Sequence, residues 1–420
     1  MSKTYDTYKD SGISWIGYIP NNWKISKMKH IGTYINGYAF KPSDWNNEGK
    51  PIIRIQDLTG SQSNPNYYNG ELDEKYLVKA GDILVSWAAT LDAFIWSRKE
   101  GWLNQHIFKA IPNTNIVCKD FFFWLVKVAM SEMNNDNKHG IVMQHVTTGV
   151  FNIFKIPLPP LTEQEEISCV LNKKCSEIEE LISVQEEMIK ELQSFKISYI
   201  TKIVTSGINK CSKQKDSNVD WIGMIPETWT VAKFKNLFRI KKDIAGELGY
   251  DVLSVTQKGI KIKDITKNEG QLAQDYSKYQ LVAKEDFVMN HMDLLTGFVD
   301  LSKFEGVTSP DYRTFRAKNY NIVDNHYYLK IFQICYWTRL FYNLGQGVST
   351  LGRWRLPAEQ QNNFMLPVPP LQEQKEIAEH LDVKMQQIDS LIAIKQEKIK
   401  ELHEYKKCII YEYVTGKKRV

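Results

Sequence analysis

Glu373-Gln374-Lys375 carries the E-x-K ending of a nuclease motif, in which the carboxylate would hold a metal ion and the lysine would orient an attacking water. The run stands at a helix start, however, and its repeat copy, Glu163-Gln164-Glu165, lacks the lysine. VTGKK at 414–418 is too short for the G-x-x-x-x-G-K-[ST] loop that cradles nucleotide phosphates. The eight histidines show no H-x-x-x-H spacing. Six cysteines (118, 169, 175, 211, 335, 408) lack C-x-x-C pairs, which predicts reduced, cytosolic thiols and no zinc site.

Asn64-Pro65-Asn66-Tyr67 shares three positions with the Asn-Pro-Pro-Tyr loop of adenine-N6 methyltransferases, whose polar groups grip a flipped base while an aromatic ring stacks on it. The second proline is missing, and no glycine-rich strand-to-helix turn for S-adenosylmethionine precedes it. SQSNPNYYNG therefore reads as a solvated turn. With no catalyst in view, recognition is the expected chemistry. Base edges need paired donors and acceptors, so loop Arg, Lys, Gln, Asn and His are the candidates. In the first half of the chain these are Lys41, Arg54, Gln56, Trp87, Lys138, Gln144 and His145; in the second, Gln257, Lys258, Asn290, Arg313, Arg353 and Arg355.

Those residues must be held by something, and the chain states its scaffold twice. DSGISWIGYIPNNWKISKMK (10–29) matches DSNVDWIGMIPETWTVAKFK (216–235) at ten of twenty positions. Residues 156–205, opening IPLPPLTEQEEI, match 366–415, opening LPVPPLQEQKEI, at twenty-two of fifty. Between these blocks 30–155 and 236–365 align poorly, with echoes such as GDILVSW (81–87) against EDFVMN (285–290) and NQHIFKAIPN (104–113) against SPDYRTFRAKN (309–319). A unit of short lead, variable globular segment and long helix has been duplicated.

The prolines stop each helix from extending backward, and Thr162 followed by Glu165 has capping-box spacing. Apolar residues then recur in steps of three and four. Ile167, Leu171, Ile178, Leu181, Met188, Leu192 and Phe195 form one predicted pairing seam, interrupted by Lys174 and Gln185. Ile377, Leu381, Ile388, Leu391, Leu402, Tyr405 and Ile409 form the other, interrupted by Lys384, Lys395 and Lys398. This is the coiled-coil spacing. Each helix would run roughly 60 Å at about 1.5 Å per residue. Antiparallel pairing within one chain would put the variable segments at opposite ends of a rod.

Each variable segment mixes β-type runs (PIIRIQDL 51–58, DILVSWAA 82–89, DVLSVT 251–256, DFVMNHM 286–292) with helical ones (KDFFFWLVKVAM 119–130, HYYLKIFQICYW 326–337). The predicted class is α+β, two globular segments with a central curved sheet alternating with two long helices that pair as an antiparallel coiled coil, a pseudo-two-fold molecule. At 420 residues the chain is too long for one ordinary core. The longest apolar runs, such as FFFWLV (121–126), fall far short of a membrane span, and MSKTYDTYKDSG has no apolar signal region. The net charge of +5 permits nucleic acid without demanding it; residues 30–155 are neutral and 236–365 carry +3.

The repeated DSGISWIGYIPNNW and PLPPLTEQEEI resemble the specificity subunit of type I restriction–modification systems, over essentially the whole chain. The resemblance implies a conserved lead (1–29), a first target-recognition domain (30–155), a helical spacer (156–215), a repeated lead (216–235), a second target-recognition domain (236–365) and a C-terminal helix (366–420). It implies a non-catalytic DNA-reading subunit for a bipartite, asymmetric site, with the lead packing near the C-terminal helix. Its expected partners are double-stranded DNA, two modification subunits and two restriction subunits, in the cytoplasm and away from membranes. S-adenosylmethionine, ATP and magnesium belong on those partners, with no cofactor on this chain. A coiled-coil adaptor that never reads DNA, or an adenine-N6 methyltransferase, are the alternatives.

Overall fold

Paired prolines at 159–160 and 369–370 fix where the two long helices begin, Leu161–Ser206 and Leu371–Val414, each on the residue after the second proline. Thr162 therefore lies inside the first turn, and the cap falls on Pro160, not on a Thr162–Glu165 box. Gly207 and Gly416 follow the helix ends in the left-handed region, with φ of 75° and 72°. A Cβ on Gly416 would lie 2.4 Å from Pro20 Cδ, and one on Gly207 would lie 3.3 Å from Trp229. Each helix thus ends directly against a repeated lead.

The computed structural model describes residues 4–60, 64–88, 90–136, 148–209, 211–264, 275–347 and 354–420. The chain divides into two compact units, Met1–Val184 with Glu397–Val420, and Gln185–Gln396, so both boundaries fall within the long helices.

In the first unit Lys24–Lys27 of the lead pairs antiparallel with Lys155–Leu158, which closes the neck of the globular part. Above the neck lie two four-stranded sheets rather than the single curved sheet expected. One is antiparallel, in the order Gly32–Asn36, Ile107–Pro112, Ile83–Ser86, Asp92–Ile95. The other runs Tyr67–Tyr68, Lys50–Ile53, Gly101–Leu103, Leu77–Val78 and contains one parallel pair, Trp102 opposite Ile52. Strand Lys50–Ile53 gives way to helix Ile55–Thr59, so the second half of the run 51–58 is not extended. Phe108, Phe121, Phe122, Leu125 and Phe151 fill the core between the antiparallel sheet and helix Lys119–Asp136. The lead also meets the C-terminal helix: Tyr411 Oη donates to Trp15 O at 2.6 Å and Lys417 Nζ to Ile16 O at 2.7 Å.

The second unit repeats this order. Thr230–Lys233 pairs with Met365–Val368 at its neck. Its sheets are Phe238–Ile240, Arg313–Ala317, Phe287–Met289, Val299–Leu301, and Gly259–Ile262, Val252–Thr256, Gly306–Thr308, Gln280–Val282. Helix Asn325–Trp337 covers a core of Phe234, Phe238, Phe287, Phe315 and Phe332. Strand register corrects one sequence echo. Ala110 faces Ile83 and Phe315 faces Phe287, so Lys109 takes the place of Thr314 rather than Arg316. The carboxylate beside it, half-buried Asp82 in the first unit and fully buried Asp286 in the second, is served differently in each. Lys109 bonds Leu77 O and lies 3.6 Å from Asp82 in the first, whereas Lys241, from the neighbouring strand, bonds Leu281 O and Asp286 in the second.

Within the second unit the long helices run antiparallel: Lys196 pairs with Asp389 at 2.6 Å, Tyr199 Oη meets His380 Nε2 at 2.7 Å, and Lys395 Nζ reaches Gln185 Oε1 at 3.3 Å. In the first, Lys406 pairs with Glu179. The buried stripe differs from the predicted 3.5-residue seam. Ile167, Leu171, Cys175, Ile178 and Ile182 are buried, and Ile377, Leu381, Met385 and Ile388 take the same steps of four, four and three. A straight helix drifts about 20° per heptad from a 3.5 repeat, so the stripe leaves the predicted seam. Leu181, Met188, Phe195, Leu391 and Tyr405 are exposed, while Leu192 is half-buried and Leu402 and Ile409 are buried. The stripe shares its cluster with Phe121, Leu125 and Met130 of the globular part as well as with the other long helix.

Candidate nucleic-acid interface

The repeated Glu-Gln dipeptide positions the globular part of each unit. Trp23, fully buried in the lead, donates from Nε1 to Glu163 at 3.0 Å; Trp229 donates to Glu373 at 2.8 Å. The neighbouring glutamine grips the other side. Gln164 accepts from Cys118 N and donates to Ile116 O and Pro159 O, and Gln374 accepts from Asp324 N and donates to Ile322 O and Pro369 O. Both glutamines are fully buried, where an unmade bond would cost about 1–3 kcal/mol. Glu373 of the nuclease-like run is thus a structural acceptor for an indole.

Polar side chains gather at the end of the parallel strand pair. In the first unit Arg54 caps helix Ile55–Thr59, its backbone N–H bonded to Asp57 at 2.8 Å. Its guanidinium carbon lies 4.3 Å from the centre of the exposed Trp45 ring. Asn66, with its amide oriented to satisfy both atoms, accepts from Arg54 Nη1 at 3.2 Å and Nη2 at 2.6 Å. Asn66 O also accepts from Ile52 N, and Tyr67 pairs with Pro51, so Asn66 braces Arg54 from just before the two-residue edge strand Tyr67–Tyr68. Gln56 is exposed in the first turn beyond it. In the second unit strand Val252–Thr256 continues into a hairpin with Gly259–Ile262, whose two-residue tip is the exposed pair Gln257-Lys258. Gln257 Nε2 donates to Thr296 O at 3.4 Å.

Residues 20–191 and 226–404, more than four fifths of the chain, match the family model of the type I restriction modification DNA specificity domain. The chain belongs to this family. It is a type I restriction–modification specificity subunit with two target-recognition domains. The EcoBI specificity subunit of Escherichia coli is 25% identical over 403 residues, 89% of this chain and 81% of that one. The MjaVIII specificity subunit of Methanocaldococcus jannaschii is 26% identical over 427 residues, 96% and 94% of the two chains. A solved structure from work on complex assembly and conformational transition of the type I R-M system shares the fold, with a TM-score of 0.66 at 14% identity over 94% of this chain and 98% of that one.

The other candidate readers of the specificity subunit are scattered. Lys41 is exposed before the turn Pro42–Asp44, and Trp87 is half-buried with its ring 5.7 Å from His106. Asn290 is half-buried; its Oδ1 accepts from Met292 N and its O from Tyr336 Oη. Arg313 is no surface reader. It is 9% exposed and donates to Gln361 Oε1 at 2.6 Å and Leu356 O at 3.1 Å, because its strand position points into the core. Burial lowers its pKa to about 10. Burial, then the Arg313 and Arg355 charges, holds neighbouring His291 down at about 4. Arg355 is exposed and pairs through its backbone with Gln346. Lys138, Gln144, His145 and Arg353 lie outside the described residues.

Sequence reasoning missed Trp45 and weighed Asn66 only as part of a catalytic loop. Their shared proximity to Arg54 depends on a strand pairing that no local pattern signals. Among the described residues no group of His, Cys, Asp and Glu could hold a metal ion, and no helix is long and apolar enough to cross a membrane.

Proposed function

We propose that residues 30–155 read one half of a bipartite, asymmetric DNA site and residues 236–365 the other. One observation carries this reading: the same strands, necks and clamps recur in both units, while the segments leaving the parallel strand pair differ, a capped helix in one and a hairpin in the other. A common frame with diverged tips suits two different half-sites.

The long helices set the gap between the half-sites and dock two modification subunits, with which two restriction subunits can associate. In support, both helices leave the same apolar positions exposed, Leu181 (51%) matching Leu391 (48%) and Phe195 (49%) matching Tyr405 (54%). Two equivalent surfaces suit two copies of one partner. S-adenosylmethionine, ATP and magnesium act on those partners in the cytoplasm, and this chain supplies recognition without a catalytic group.

The test is exchange. Residues 30–155 are replaced by the matching segment of another family member, the chain is co-expressed with its modification subunit, and N6-methyladenine is mapped. One half of the motif should change and the other stay. A motif altered in both halves, or in neither, contradicts the assignment. The chain alone should not bind S-adenosylmethionine; binding there would contradict the placement of the cofactor on a partner.

A further inference from the structure

We propose that Arg54 is a specificity-determining residue that reads a guanine, held in reading position by Trp45 and Asn66; the inference rests on the DNA-reading function proposed above. The strand register locates it. Ile52 and Ile53 lie parallel to Trp102 and Leu103, and Val252 and Leu253 lie parallel to Val307 and Thr308. In both units a glycine opens that partner strand and faces a valine of the next, Gly101 opposite Val78 and Gly306 opposite Val282. The two frames therefore correspond residue for residue up to Ile53 and Leu253. The next residues are Arg54 and Ser254, and from there the backbones part. Along this strand pair Arg54 is the first side chain at which the two units can read differently.

Its surroundings fit a base edge. The Trp45 ring holds one face of the guanidinium and the Asn66 carbonyl oxygen holds one edge, while the bond from Arg54 N to the buried Asp57 fixes the backbone. Among the described residues the guanidinium pairs with no carboxylate. Five N–H donors in a planar fork leave a second edge, bearing Nε and one Nη, for a ligand. Guanine O6 and N7 are two acceptors spaced for that fork. A phosphate can be met by a mobile cation, whereas base reading needs the plane and the edge fixed beforehand, as they are here.

The experiment uses the full chain assembled with its modification subunit. Wild type, Arg54→Lys, Arg54→Ala and Trp45→Ala are challenged with a library of randomised sites, and methylated sites are read by single-molecule sequencing. Arg54→Lys keeps the charge and the stem, so the domain retains its fold while the fork is lost. The expected result is relaxation at one guanine in one half-site, with discrimination falling about ten- to a hundred-fold, the other half unchanged, and Trp45→Ala relaxing the same position. Uniformly weaker methylation with the motif intact would show a backbone contact and overturn the inference, as would an unchanged motif in both Arg54 variants. A wild-type complex that methylates no bipartite site would overturn the underlying reading as well, so the two failures are distinct.

Discussion

The Trp229 indole donates to the Glu373 carboxylate at 2.8 Å, tying the repeated lead of the second unit to the first turn of its long helix. Trp23 and Glu163 make the same bond in the first unit. The clamp explains why the chain writes W-I-G-x-I-P-x-x-W and P-P-L-x-E-Q twice: each phrase is half of one contact. Glu373→Ala leaves a buried N–H unpaired and should lower stability by about 1–3 kcal/mol, with Glu373→Gln, which keeps an acceptor, losing less. Glu163→Ala should behave alike. Urea unfolding of the full chain measures this, and unchanged midpoints would contradict the clamp.

Asp286 is fully buried and bonds Lys241 at 2.6 Å and Arg316 at 2.7 Å, whereas the side chain of its counterpart Asp82 is 32% exposed with Lys109 at 3.6 Å. Removing one partner of a buried pair leaves uncompensated charge, here two cations. Asp286→Ala should therefore cost about 3–5 kcal/mol, and Asp82→Ala clearly less. Equal losses in the two variants would contradict this ordering.

These clamps also show what was legible in sequence. Two units, two long helices and their starts follow from the repeat and its prolines, because identity at 210-residue spacing and a missing N–H are local, readable facts. The helix seam was read on a 3.5 repeat, and Leu181 and Leu391 came out exposed because a straight helix carries its stripe past them to Ile182 and Ile392. The reader surface was the least legible. Arg54 stands out only once strand pairing brings Trp45 and Asn66 to it, and Arg313 looked like a loop residue until its strand turned it inward. Neither direction is encoded within a few residues of either arginine.

Acidification should weaken the second unit through His291. Its pKa is held near 4, below the ordinary 6.5, so the unfolded chain binds the extra proton first. The stability that follows from keeping this ring neutral is fully present above about pH 6.5 and is lost progressively down to about pH 4. His291→Asn should flatten that part of the profile, seen as a smaller shift in urea midpoint between pH 7 and pH 5. An identical shift in wild type and variant would exclude His291 as its source.

The exposed pair Leu181 and Leu391 gives a partner-binding prediction. Leu181→Asp and Leu391→Asp should each leave folding intact, since both side chains face solvent in the free chain, and each should reduce the modification subunits held from two to one. The double variant should hold none. Native mass spectrometry of the co-expressed complex counts them, and full occupancy in the double variant would move the docking surface elsewhere.

The most direct measurement is the methylated motif of the wild-type chain co-expressed with its modification subunit, mapped by single-molecule sequencing. Two units with a shared frame and different tips predict two unlike half-sites separated by a fixed, unread gap. A continuous or palindromic motif would contradict that account.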